Sequence, residues 1–299
     1  MNHKFPGAGT TTLSSNATSA RMGDSPCGCT LSGLARQRFL AAEGKPAFLC
    51  EWPRALFVHY KLDPAALQPQ VPFALELFEG KAIVSLAAFT MRRFRPRRSG
   101  KFGEWLFRPA ATNHFFNVRA YVHHGGEPGV YFISQWLSHP LCLLGRLPGL
   151  QLPWHLGRMR YAHSHEVGRL TGHVLGVLGG SLNYRAVLPS DARFAAASPG
   201  SLAEFATERY TAFALRGSRE VVFRVWHEPW PQCPVEAEVK DAGLLQQSGD
   251  WHYGAQLAAA NYAIGCREVW MGRVRAIPRP GGPKSQLSRS VSSAFYEMP

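Results

Sequence analysis

Phe115-Phe116-Asn117-Val118-Arg119-Ala120-Tyr121-Val122, a Gly125-Gly126 turn and Val130-Tyr131-Phe132-Ile133-Ser134 form the stretch that decides how this chain folds. Asn117, Arg119 and Tyr121 alternate with Val118, Ala120 and Val122, the period of two that a strand shows when one face meets polar groups and the other oil. Two such strands around a tight glycine turn make a hairpin. An arginine and a tyrosine on an inward face cost several kcal/mol unless they are paired, so the interior is expected to hold a polar cavity.

Working outward, Arg54 to Tyr60 and Lys81 to Thr90 read as strands, with Asp63 as N-cap and Pro64 at the first position of a short helix between them. Leu143 to His155, broken by Gly145, Pro148-Gly149 and Pro153, reads as a loop over the mouth of the sheet. Arg158 to His165, Gly172 to Leu188, Glu220 to Glu228, Val235 to Val239 and Glu268 to Ile277 supply further strands. Ser201-Leu202-Ala203-Glu204 is a capping box ahead of Leu202, Phe205, Arg209 and Phe213 at helical spacing, which predicts a helix over 201–215. Residues 1–38 and 279–299 have little apolar surface to bury and are expected to be disordered tails around one domain at 46–278.

With 299 residues, 45% of them hydrophobic and 12% aromatic, the chain has material for a sizeable core. The formal charge is +13, of which the tails hold about five. Six scattered cysteines fit reduced thiols, and no charged start with an apolar core opens the sequence, so a cytoplasmic location is expected. The most apolar run, Leu141 to Leu156, is too short and too broken to span a bilayer.

Asn117-Val118-Arg119-Ala120-Tyr121-Val122 with Gly129-Val130-Tyr131-Phe132 resembles the signature of the YqjF-like bacterial family, the domain of unknown function DUF2071. Val71-Pro72 to Gly80 with Phe89-Thr90-Met91, Gly200-Ser201-Leu202 to Glu208-Arg209-Tyr210, and His227-Glu228-Pro229-Trp230-Pro231 extend the resemblance from about Trp52 to Ile277. It implies an α+β, mainly antiparallel β-barrel similar to acetoacetate decarboxylase, with a few packing helices. In that relative a Schiff-base lysine follows a short Pro-containing turn. The corresponding turn, Leu152-Pro153, continues here as Trp154-His155-Leu156, and the lysines stand elsewhere, at Lys4, Lys45, Lys61, Lys81, Lys101, Lys240 and Lys284. Amine catalysis needs a desolvated lysine, so the decarboxylase reaction is not carried over. The Glu that usually precedes the Asn-Val-Arg motif is replaced by Phe115 and Phe116, and any acid role at that position is lost or has moved.

His155, near the lost lysine, His227 and Glu208 are the catalytic candidates. Asn117, Arg119, Tyr121, Trp154, Arg209 and Trp230 are the ligand-binding candidates. Arg119 offers a planar fork of donors to a small carboxylate. An internal ion pair with Glu208 or Glu236 reads equally well. Cys27-Gly28-Cys29 lacks a second ligand pair, and His163, His165 and His173, though a conceivable zinc set, lack supporting groups, so no metal is expected. Nor is a cofactor. Met91 to Arg98 with Lys101 is the densest basic run; a solvated loop is expected there ahead of a nucleic-acid contact. The expected partner is a small-molecule ligand, with no membrane, no nucleic-acid partner expected, and homo-oligomerisation left open. Three functions follow: an enzyme acting on a small organic acid or carbonyl compound, a non-catalytic module that binds one, or, on charge alone, nucleic-acid association through the basic loop 92–101.

Overall fold

A computed structural model describes residues 30–98, 105, 111–140 and 152–277. Strands dominate: β1 (Phe48–Leu62), β2 (Ala82–Pro96), β3 (Asn113–His124), β4 (Glu127–Leu137), β5 (Trp154–Ser164), β6 (Arg169–Gly176), β7 (Ser181–Val187), β8 (Thr211–Arg216), β9 (Arg219–His227), β10 (Gln232–Pro234), β11 (Glu236–Ala242), β12 (Gln256–Met271) and β13 (Arg275–Ala276). The helices are α1 (Leu31–Glu43), α2 (Pro64–Leu67) and α3 (Leu202–Thr207). Among the described residues no helix is long and apolar enough to cross a membrane.

The expected hairpin is β3–β4, and its neighbours run β4–β3–β2–β1–β12–β9. β8 pairs with both β9 and β4, so the path closes on itself, antiparallel except where Val130 and Tyr131 of β4 run parallel to Ala212 and Phe213 of β8. β5, β6, β7 and β11 continue from β4 as a wing, entered through a parallel step that sets Gln135 beside Trp154. The outer faces of β1 to β3, with Leu56, Val58, Leu86, Phe116 and Val118, pack with Leu170, Val174, Leu182 and Tyr184 of the wing in the largest apolar core. The same strands therefore present a second face to the interior.

Three adjacent strands bend together. Arg54 in β1, Arg93 in β2 and Gly265 in β12 all have positive φ, beside the register breaks of β1. At Gly265 a Cβ would lie 2.5 Å from the Trp52 carbonyl oxygen, so only glycine lets β12 approach there. The bend turns Trp52 onto Phe89 and Trp230.

Four expectations need correction. The capping box is real, since the Ser201 hydroxyl accepts from Glu204 N, but the helix stops at Thr207 and Thr211–Arg216 form β8. Pairing with β9 and β4 overrides the helical spacing of Arg209 and Phe213. The tail expected through residue 38 is helical from Leu31: Phe39 is fully buried against Tyr210 and Trp226, and the Ser32 hydroxyl donates to the His227 carbonyl at 2.7 Å. Trp154 and His155, read as loop, open β5, while residues 141–151, 1–29 and 278–299 lie outside the described residues. The basic run begins as strand, with Arg93 paired to Glu51 and Phe94 stacked on Phe48 at 5.0 Å; Ser99 to Lys101 lie outside the described residues.

Candidate functional site

Strand register assembles the interior row by row. Asn261, Phe57, Ala87, Asn117 and Gln135 stand side by side across β12, β1, β2, β3 and β4. In the next row His59, Ser85, Arg119 and Phe132 are neighbours, the last after a bulge in the β3–β4 ladder. Side chains two apart on a strand share a face, which is why Asn117, Arg119 and Tyr121 enter the same space.

Arg119 reaches across the interior to the last turn of α3. Its Nη2 donates to the Ala206 carbonyl oxygen at 2.7 Å, a group that the helix end leaves without an intrahelical partner. The guanidinium lies 5.2 Å from the centre of the Phe57 ring and 5.8 Å from that of Tyr121. Its Nε is buried without a hydrogen-bond partner, and among the described residues no carboxylate pairs with it. Glu208 and Glu236, the acids considered for that role, are elsewhere: Glu208 accepts from the Tyr210 hydroxyl and from Trp230 N, and Glu236 is exposed on β11.

Tyr121 closes a buried chain. Its hydroxyl donates to the same Ala206 oxygen at 2.9 Å, Ser85 Oγ lies 2.6 Å from it, and His59 Nδ1 lies 2.7 Å from Ser85 Oγ. Burial, with the Arg119 charge adding to it, pushes His59 down to about 3, only partly offset by the Asn261 side chain beside it. His59 and Ser85 escaped the sequence reading because each is a single polar residue in an apolar run. The signal was there in the period of two, which puts Ala55, Phe57 and His59 on one face of β1, and Ile83, Ser85 and Ala87 on one face of β2.

The other candidates divide. Asn117 Oδ1 accepts from Gln135 Nε2 at 3.2 Å, and Gln135 Oε1 accepts from the Trp154 indole at 2.8 Å, so both belong to the interior. Trp230 packs between Trp52, Phe57 and His227, at 5.9, 5.3 and 5.0 Å between ring centres. His227 is fully buried, its Nδ1 donating to the Glu228 carbonyl at 2.7 Å, and desolvation, with a smaller contribution from the Arg119 charge, lowers it to about 4. Burial raises the Glu208 carboxyl above the usual range. Arg209 is excluded from the interior group: it forms a 2.7 Å ion pair with Glu76 and lies over the Phe205 ring at 4.3 Å. His155 sits on the opposite face of β5 from Trp154, stacked on Trp136 in the outer core at 5.3 Å. The three wing histidines do not converge, for His163 binds the Tyr184 hydroxyl, His165 the Tyr262 hydroxyl and His173 the Asn183 amide.

The closed antiparallel-rich sheet is shared with solved acetoacetate decarboxylase-like structures. The enduracididine biosynthesis enzyme MppR superposes with TM-score 0.57 at 14% identity, over 78% of this chain and 88% of that one. An acetoacetate decarboxylase-like enzyme from Sphingomonas wittichii gives TM-score 0.54 at 17% identity, over 78% of this chain and 94% of that one. Identities this low carry the fold alone. The chain belongs to the DUF2071 family, described as an uncharacterized conserved protein, whose model matches residues 50–260. The uncharacterized protein YqjF of Bacillus subtilis is 28% identical over 196 residues, which cover 63% of this chain and 76% of that protein.

Proposed function

We propose that the interior of the closed sheet binds a small organic acid or carbonyl compound through Arg119, without a Schiff-base lysine. The observation that carries this reading is the cation itself. Arg119 is half-buried, holds one carbonyl and two ring faces, and meets no carboxylate among the described residues. Taking a charge out of water without a counter-ion is costly, and a ligand carboxylate would supply two acceptors in the plane of the guanidinium. The histidines around it are neutral and do not compete for the anion. Lys45, Lys61, Lys81 and Lys240 are exposed on the surface, while Lys4, Lys101 and Lys284 lie outside the described residues. A structure of MppR in complex with pyruvate supports the same ligand class.

Of the acid or base candidates, His227 lies close enough to feel the Arg119 charge, whereas Glu208 is held by Tyr210 and Trp230. Both oxygens of Glu208 already take protein donors, which favours the second reading, a module that binds its acid without transforming it. The buried free thiols of Cys50, Cys233 and Cys266 support a reducing, cytoplasmic setting.

Calorimetric titration with acetate, pyruvate and acetoacetate beside neutral acetamide tests the anchor. The carboxylates are expected to bind and the amide not, and borohydride added with the keto acids should leave no adduct on any lysine. Equal affinity for acetamide, or a trapped lysine, overturns the reading.

A further inference from the structure

The chain His59–Ser85–Tyr121–Ala206 has a direction that its last member imposes. A carbonyl oxygen only accepts, so the Tyr121 hydroxyl donates to Ala206. With that proton committed, Tyr121 Oη accepts the Ser85 hydroxyl proton, and Ser85 Oγ in turn accepts from His59 Nδ1. The proton on Nδ1 makes Nε2 a lone pair. Among the described residues this nitrogen is fully buried and makes no hydrogen bond, although the Asn261 side chain lies beside the ring. Leaving such an acceptor unpaired is unfavourable, and the neighbouring Arg119 charge opposes the simplest remedy, which is to bind a proton. The Nε2 lone pair is therefore suited to a neutral donor.

The second unpaired atom of this region has the opposite character, since Arg119 Nε is a buried donor without an acceptor. His59 and Arg119 occupy one row of the interior, with Ser85 between them on the intervening strand. Two strand spacings separate them, about 10 Å at the backbone, and both side chains are long enough to close on one small guest.

We propose that the guest carries a hydroxyl close to its carboxylate: the acid end lies on Arg119 and the hydroxyl donates to His59 Nε2, which selects a 2- or 3-hydroxy acid over the matching oxo acid. This rests on the Arg119 reading given above and narrows it. An oxo group has no proton to donate, so the oxo acid leaves Nε2 unpaired and sets a second acceptor against it. Sites built to pair a substrate hydroxyl reject analogues that lack it for this reason.

Matched pairs test the selection on the full chain: lactate against pyruvate, and 3-hydroxybutyrate against acetoacetate, each titrated calorimetrically. The hydroxy member of at least one pair is expected to bind about tenfold tighter, and His59→Phe should erase that preference while still binding carboxylates. Nitrogen-15 NMR of the imidazole gives a readout that needs no substitution. The free protein should show the Nδ1–H tautomer, and the hydroxy acid, unlike the oxo acid, should shift the Nε2 resonance. Equal or inverted affinities in both pairs, an Nε2–H tautomer, or a resonance that neither acid moves, as a trapped water or the Asn261 amide alone would give, overturns the selection and leaves the anchor standing. If no carboxylate of either kind binds, the anchor itself falls and the selection with it.

Discussion

Two buried histidine networks lie on opposite sides of the same strands, and they differ in one atom. Between the closed sheet and its wing, His163 Nδ1 donates to the Arg54 carbonyl at 2.9 Å and Nε2 accepts from the Tyr184 hydroxyl at 2.6 Å. Both nitrogens are satisfied, and the ring stacks on Tyr161 at 5.1 Å. In the interior, His59 satisfies Nδ1 on Ser85, and among the described residues Nε2 makes no hydrogen bond, with the Asn261 side chain beside the ring. Equal burial thus accompanies two different purposes. A polar group that the protein completes by itself holds layers together, and one that it leaves incomplete is available to something else.

Titration is expected to treat the two networks alike, and it gives the largest effect. Burial is the first cause in each case: it lowers His163 and His227 to about 4 and His59 to about 3, against an ordinary value of 6.5. The unfolded chain therefore binds more protons than the folded one between about pH 4 and 6.5, and stability falls as the pH falls through that window. Each histidine contributes a slope of about 1.4 kcal/mol per pH unit below its ordinary value, on the order of 6 kcal/mol for the three between pH 7 and 5. Glu208, raised by burial, acts in the opposite sense, so the net loss is smaller. Urea unfolding at pH 7, 6 and 5 measures it, and a midpoint that stays flat or rises on acidification contradicts the burial of these rings.

Substitution should separate what titration does not. Replacing His163 with phenylalanine strands the Tyr184 hydroxyl and the Arg54 carbonyl and is expected to cost about 2–3 kcal/mol. His59→Phe strands only the Ser85 acceptor, because Ser85 still donates to Tyr121, and it removes a nitrogen that was already unpaired. Its cost should stay below about 1 kcal/mol. Equal losses in the two variants, measured by urea unfolding at pH 7, would erase the distinction drawn between the networks.

The sequence made the interior legible as far as its periodicity was clean. Asn117, Arg119 and Tyr121 announced a polar inner face, and the Asp63–Pro64 start of α2 is present, with Asp63 Oδ1 accepting from Ala65 N at 2.9 Å. Legibility failed where tertiary pairing outweighed local pattern. Thr211 to Arg216 carried a helical spacing yet lie between β4 and β9. The early part of β12, Leu257-Ala258-Ala259-Ala260, has no strand propensity to betray it and is held by its partner β1. Arg209 and Arg119 illustrate the limit for site residues. Both are arginines in family-like motifs, and only the fold shows that Glu76 occupies one of them and that, among the described residues, nothing acidic meets the other.

That contrast supplies the decisive measurement. In Arg119→Met the Ala206 carbonyl keeps its bond from Tyr121, so the fold should survive with its melting temperature nearly unchanged. Affinity for the bound carboxylate, titrated on the same sample, should fall ten- to a hundredfold, or about 1.5–3 kcal/mol. Destabilisation of about 3–5 kcal/mol with unchanged affinity would mean that Arg119 belongs to an internal ion pair, and would contradict its role as the anchor.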